Sequence, residues 1–316
     1  MGKIKGIIPA IITPFDYSGN LYFKGFLNQL KYLKKYGFKC IFALGSYGSF
    51  PVMTIQQRKI ATELVVKLCK KYEMKSIVHI GSPSTEISIE LAKYAEDVGA
   101  DMISSVVPFY YSSTFYSEDI ILDYYKAIID SVSIDVHCYN NLKTTGFSVT
   151  PEFLGKLIDV GVRGIKDGGP YLLGMLDAVR KSPYTYEFEY YPSSTKFLLD
   201  GFLLGADACI SGIALSVPHL IQRFYEHIRH GNYPTSAYYF MKIMQVRDII
   251  GAKGGRAITA YDILHRKGVD VGTCKAPWKR LKEEDREWVF QQLDKIVESE
   301  DQDGIPSKPE YRHSEK

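Results

Sequence analysis

Short apolar, β-branched runs alternate along the chain with longer segments of helical periodicity. The runs fall at residues 8–12, 40–44, 76–80, 102–107, 134–139, 162–166, 184–190 and 208–211, and they predict eight buried strands. Between them, Ile87, Leu91, Tyr94, Ala95 and Val98 repeat at helical spacing behind Ser84, a good N-cap. Thr150-Pro151-Glu152 reads as an N-cap, a proline in the first helical position and an acid in the first turn. Gly37, Gly99, Gly161 and Gly205 each close a helix shortly before a strand begins, and the first three are evenly spaced. A helix C-terminus favours φ > 0, which glycine adopts without a Cβ clash.

Strict strand–helix alternation with continuous apolar strands predicts a parallel sheet. Eight such units predict closure into a (β/α)8 barrel, or TIM barrel, a fold that takes about 250 residues. The barrel is expected over residues 1–232, an appended helical segment over 233–300, and a polar, aperiodic tail over 301–316 that is expected to be disordered.

Of the 316 residues, 46% are hydrophobic and 24% charged, enough to build a large core. The formal net charge of +3 and the lack of a basic cluster give no reason to expect a nucleic-acid partner. Nothing approaches the roughly 18 apolar residues of a membrane span, and Met1-Gly2-Lys3-Ile4-Lys5 lacks the apolar stretch of a signal peptide. The five cysteines are an odd number, widely separated and without a C-x-x-C pair, so zinc and redox dithiols are not expected. Together these features point to a reduced, cytoplasmic setting with no membrane partner.

In an α/β barrel the catalytic groups stand at the carboxyl ends of the strands. Those ends carry Gly45-Ser46-Tyr47-Gly48, Pro108-Phe109-Tyr110-Tyr111, Tyr139-Asn140, Lys166-Asp167-Gly168-Gly169 and Ser211-Gly212. No cluster of His, Asp and Glu suggests a metal, and no phosphate loop is present, so no cofactor is expected. Lys166 is the informative residue. An ammonium at the end of an apolar strand is unfavourable, and burial lowers its pKa toward a neutral amine that attacks ketones. The alternative is a lysine that reaches past the strand to a surface carboxylate. Tyr139 and Tyr110 are candidate proton shuttles, although each of the 24 tyrosines is more simply a core residue. Ser46, with the N–H groups of its turn, can hold a carboxylate, or is simply a turn serine.

These segments together resemble the superfamily of N-acetylneuraminate lyase and dihydrodipicolinate synthase, class I pyruvate aldolases. The resemblance covers Ile7 to about Leu281. It rests on Pro9-Ala10 with Thr13-Pro14-Phe15, on Gly45-Ser46-Tyr47-Gly48, on Tyr139-Asn140 and on Gly164-Ile165-Lys166, which is similar to the family's Schiff-base motif. The resemblance implies that Lys166 forms an imine with pyruvate and that Tyr139 moves protons at the reacting carbon. It implies that Ser46, in its turn with Tyr47 and Gly48, binds the pyruvyl carboxylate. It also implies that Tyr110 completes a hydroxyl relay across a subunit interface, hence a homo-oligomer, commonly a tetramer built as a dimer of dimers. Val107-Pro108-Phe109-Tyr110-Tyr111 and Gly268-Val269-Asp270 through Pro277 are similar to the lyase branch.

The departures lie in the pocket for the second substrate. Tyr47 and Ser49 replace a threonine and a glutamate, and Thr144 stands where the synthase branch has an arginine. Thr195 and Lys196 stand where the sialic-acid branch has an acidic pair, and Gly168 where it has a threonine. Lys196 could pair with a substrate carboxylate or phosphate, or is a solvated lysine on a helix; Ser211, at the eighth strand end, is a further substrate-binding candidate. The expected activity is a pyruvate-dependent aldolase that reversibly cleaves a 2-keto-3-deoxy acid to pyruvate and an aldehyde. A synthase-type condensation or keto-acid dehydration is the alternative, and a silent barrel that binds a keto acid a further one.

Overall fold

The computed structural model describes residues 3–111 and 115–302. Its strands are β1 (Gly6–Pro9), β2 (Cys40–Ala43), β3 (Lys75–His79), β4 (Met102–Val106), β5 (Asp135–Asn140), β6 (Gly164–Asp167), β7 (Glu189–Pro192) and β8 (Ala208–Ser211). The helices that follow them are α1 (Phe23–Lys35), α2 (Ile55–Lys71), α3 (Thr85–Asp97), α4 (Glu118–Ile129), α5 (Pro151–Asp159), α6 (Leu172–Lys181), α7 (Leu198–Leu203) and α8 (Pro218–Arg229). Three longer helices follow, α9 (Tyr233–Gly251), α10 (Arg256–Arg266) and α11 (Glu283–Gln302), and single helical turns stand at Leu142–Thr145 and Ile213–Ser216.

Every strand pair is parallel. β2 to β7 pair in sequence order, and β1 pairs with β8. A parallel bridge from Ala10 to Phe42 joins β1 to β2, and β7 lies against β8. The sheet therefore curls on itself, consistent with the expected barrel. Alternation along each strand divides the apolar side chains between two sides. One set, including Ile103, Val136 and Ile165, packs under the helices. A smaller set, including Ile8, Phe42, Met102, Tyr139, Tyr191 and Ile210, fills the inside of the curl. The five cysteines are free and buried. Among the described residues, no helix is long and apolar enough to cross a membrane.

Three strands begin two or more residues from the start of their apolar runs, β6 at Gly164 among them. β1 begins at Gly6, and the run extends past Pro9 because Ala10, whose N–H still donates to the Ser211 carbonyl at 3.1 Å, also bridges to Phe42, and the Phe42 carbonyl accepts from Ile11 N at 3.0 Å. The expected strand at 184–190 begins only at Glu189, because the Tyr184 carbonyl accepts from Glu187 N and Phe188 N in a turn. α11 runs to Gln302, and the rest of the expected tail, 303–316, lies outside the described residues.

α1 ties the segment after β1 to the core. Phe26, Leu30 and Leu33 repeat at helical spacing and are fully buried, and Gln29 is buried among them. The Gln29 amide donates to the Ile12 carbonyl at 3.0 Å and accepts from Ile12 N at 3.2 Å, pairing backbone that has left the sheet. Gln29→Leu keeps the volume but leaves both groups dry. It should destabilise the protein by about 2–4 kcal/mol in urea unfolding; a change below about 0.5 kcal/mol would show that water replaces the amide.

Candidate active site

The inside of the curl ends at a cavity of about 210 Å³ lined by Ser46, Tyr47, Tyr139, Asn141, Lys166 and Gly168 among others. Sheet register brings the key residues together. Tyr139 pairs with Lys166 across β5 and β6, and Lys166 with Tyr191 across β6 and β7, so the three side chains lie in one row on the inner face. Gly164, two residues before Lys166 on the same face, leaves room for a ring below: a Cβ there would stand 2.8 Å from the His137 imidazole. The lysine thus sits above a packed floor.

Lys166 is only 6% exposed. It makes no hydrogen bond or ion pair with the described residues. Burial alone lowers its pKa from 10.5 to about 7, so about half of the amine is neutral at neutral pH. Its Nζ lies 3.8 Å from the centroid of Phe42 and 3.9 Å from that of Tyr139. Aromatic faces attract cations, so the same cage that excludes water also tolerates a positive charge on this nitrogen.

The neighbouring acid does not neutralise it. Asp167 follows Lys166 on the strand and so points to the opposite side of the sheet. There Asn140 Nδ2 donates to it at 2.7 Å, Tyr190 Oη at 2.7 Å and Gly169 N at 2.8 Å. Burial, the largest influence, raises the Asp167 pKa, and these donors oppose it. The alternative in which Lys166 reaches a surface carboxylate does not describe this geometry.

Tyr139 Oη lies 3.5 Å from Ser46 Oγ, and Asn141 Nδ2 donates to both at 3.2 Å. Burial raises the Tyr139 pKa, with the Ser46 hydrogen bond opposing, so the phenol carries its proton at neutral pH. The Ser46 loop is held rigidly. Leu44 and Ser49 flank it at φ 58° and 56°, a conformation that costs a non-glycine residue about 1–2 kcal/mol. Thr13 Oγ1 donates to the Gly48 carbonyl at 2.6 Å, and the Thr13 carbonyl in turn accepts from Tyr261 Oη at 2.6 Å.

Tyr47 lies flat against Gly212, where a Cβ would stand 2.3 Å from its ring. The bulky side chain thereby reshapes one wall and leaves Lys166 on the cavity lining. Gly168 and Thr195 also line the cavity. Four candidates stand elsewhere. Lys196 is exposed on the short turn Thr195–Phe197 and outside the lining, since its neighbour Thr195 takes the inward position. Ser211 is outside it because strand alternation gives the inward positions to Ile210 and the following Gly212. Gly48 contributes to the loop through its carbonyl and not to the lining. Tyr110 is 85% exposed, at φ 92°, and stacks edge-on with Tyr111.

Several lining residues have no signal in the strand-end motifs. Ser193 and Ser194 follow the true end of β7, which the misplaced strand concealed. Arg247 and Arg256 come from α9 and the start of α10, far from Lys166 in sequence. Asn141 was legible only as the neighbour of Tyr139-Asn140. No group of His, Cys, Asp and Glu that could hold a metal occurs among the described residues.

A parallel α/β sheet with a dry, unpaired amine at its carboxyl end defines a scaffold for carbonyl chemistry. The chain belongs to the Dihydrodipicolinate synthetase family, which it matches over residues 3–296. It is 30% identical to the probable 2-dehydro-3-deoxy-D-pentonate aldolase YjhH of Escherichia coli over 78% of this chain and 81% of that one. It is 26% identical to the N-acetylneuraminate lyase of Mediterraneibacter gnavus over 94% of each. The crystal structure of dihydrodipicolinate synthase DapA-2 from Bacillus anthracis superposes with a TM-score of 0.86 over 93% of this chain and 99% of that one, at 24% identity. The chain is accordingly an enzyme of the carbon–carbon lyase kind.

The dry amine has a thermodynamic signature. Its folded pKa of about 7 lies below the unfolded value of about 10.4, so between these values the unfolded chain holds a proton that the folded chain lacks. The cost of Lys166 to stability therefore grows as pH falls from about 10 and is complete below about 7. Lys166→Met should be more stable than the wild type by the order of a few kcal/mol at pH ~6.5, the gain fading toward pH ~10. Denaturant unfolding at the two pH values measures this, and a pH-independent difference would contradict the assigned amine.

Proposed function

We propose that this protein is a Schiff-base-forming, pyruvate-dependent aldolase that reversibly cleaves a 2-keto-3-deoxy acid to pyruvate and an aldehyde. One observation carries the reading: a buried lysine without a counter-ion, close to half neutral, beside a phenol in a cavity of substrate size. The scaffold is a (β/α)8 barrel over residues 1–232, with residues 233–300 appended as helices. Five buried thiols, none in a disulfide, suit a reducing cytoplasmic compartment.

The neutral Lys166 amine adds to the C2 carbonyl, and the carbinolamine loses water to give an iminium. The aromatic cage of Phe42 and Tyr139 accommodates that charge. The C4 hydroxyl loses its proton to Tyr139 as the C3–C4 bond breaks and the bonding electrons flow into the iminium. Because the phenol is protonated at rest, it must pass on its own proton as it takes another. Ser46 relays it, taking the phenol proton as its own hydroxyl proton passes to solvent water, and the same chain run in reverse returns one proton to C3 of the enamine; Asn141 orients both oxygens. The aldehyde departs, the enamine is reprotonated at C3, and water releases pyruvate from Lys166. Ser46 and the N–H groups of its loop hold the pyruvyl carboxylate.

Tyr110 stands in solvent on a single chain, with Tyr111 and Phe115 exposed beside it. Such an aromatic patch suits contact with a second copy, and a relay through Tyr110 requires one. The proposal therefore includes a homo-oligomer, a tetramer built from dimers.

Borohydride reduction in the presence of pyruvate should add one carboxyethyl group to the protein, located at Lys166 by peptide mass spectrometry, and Lys166→Ala should abolish the addition. An unmodified wild-type mass would refute the scheme. Tyr139→Phe should still be trapped but lose about 10²–10⁴-fold in kcat for cleavage; undiminished turnover would remove Tyr139 from the proton path.

A further inference from the structure

We propose that the aldehyde half of the substrate carries an anionic group, a carboxylate or a phosphate, bound by Arg256 and Arg247 from the C-terminal helices. The inference rests on the Schiff-base reading of the same cavity and names the class of its second substrate.

The cavity lining contains Lys143, Arg247 and Arg256 in addition to Lys166, and it contains no aspartate or glutamate. In a chain whose Lys+Arg and Asp+Glu totals are 39 and 36, that local imbalance is not a reflection of composition. Arg256 is half-buried at the first position of α10 and makes no hydrogen bond or ion pair with the described residues. Arg247 is mostly buried, and its Nη1 donates to Asp248 Oδ1 at 2.5 Å. Asp248 is its sequence neighbour, 69% exposed, so solvent screens that pair and the rest of the guanidinium fork stays available.

Tyr47 supplies an independent sign. Its hydroxyl is buried and has no hydrogen-bond partner, and Arg256 is the charge that acts on it. Burial raises the Tyr47 pKa, so the group is a neutral donor. The unpaired Tyr47 phenol, the Arg256 guanidinium and the N–H groups of Arg247 that Asp248 does not engage thus line one cavity as donors without a buried acceptor. Buried polar groups normally find partners, and cations kept from water without an anion are costly. A ligand that brings its own negative charge satisfies all three. The planar arginine fork matches the paired oxygens of carboxylate or phosphate.

The imine chemistry accounts for one anion already, since the pyruvyl carboxylate lies one bond from the carbon attached to Lys166. The arginines come from helices beyond the last strand and form the wall contributed by α9 and α10. They are therefore specificity-determining residues for the far end of the substrate, and the electrophile is an acidic aldehyde.

The test uses the full chain with its pyruvate adduct reduced onto Lys166, which fills the near end. Glycerol 3-phosphate, glycerate and glycerol, three probes with the same carbon skeleton, are then titrated calorimetrically. At least one anion should bind about tenfold or more tightly than glycerol, and the stronger of the two distinguishes phosphate from carboxylate. Arg247→Gln/Arg256→Gln should weaken that anion at least about tenfold more than it weakens pyruvate trapping. Equal binding of the three probes by the wild-type adduct would overturn the inference without needing a variant. So would a loss of pyruvate trapping as large as the loss of anion binding, which would assign the arginines to the pyruvyl carboxylate. Failure to form the adduct at all would instead refute the Schiff-base reading beneath it.

Discussion

A lone amine held away from water is the constraint on which the site depends. Transferring an ammonium into a dry enclosure costs several kcal/mol unless an anion accompanies it. Here the anion is withheld: Asp167, the adjacent acid, is turned through the sheet and committed to Asn140, Tyr190 and Gly169. The lysine consequently gives up its proton close to neutral pH. Strand alternation does this work at no extra cost, because consecutive residues face opposite sides.

The rest of the structure serves that placement. Parallel register sets Tyr139 beside Lys166, and the glycine below it admits His137 so that the floor is filled. The Ser46 loop keeps two non-glycine residues in the left-handed region, a cost accepted where the loop is overdetermined by Thr13 and Tyr261. The same aromatic faces that keep water from Nζ stabilise positive charge, so the cage suits both a neutral nucleophile and an iminium.

Much of the fold was legible because the strands are short and apolar, because Ser84 and Thr150 cap the helices that follow them, and because Gly37, Gly99, Gly161 and Gly205 close helices at positive φ just before the next strand. The ends of β1 and β7 were not. At β7 the aromatic run of Tyr184, Tyr186 and Phe188 reads as strand, while a turn claims its first residues and shifts the true strand end to Pro192. That shift concealed Ser193 and Ser194. Lys166, Tyr139 and Ser46 could be found because they end strands, and alternation told against Ser211 only once the register was fixed. Arg247 and Arg256 carry no local signal; their position depends on how helices after the last strand pack back over the cavity. Lys196 looked like the available cation, yet the turn that contains it directs Thr195 inward.

The protonation state of one nitrogen tests this account most directly. Reductive ¹³C-methylation of the lysines, with the Lys166 resonance assigned from Lys166→Met, allows its titration to be followed by NMR. A midpoint close to 7 is expected for the folded protein. A midpoint above about 10, the value of a solvated lysine, would contradict the account, since the amine would then be almost wholly protonated and unable to attack a carbonyl at neutral pH.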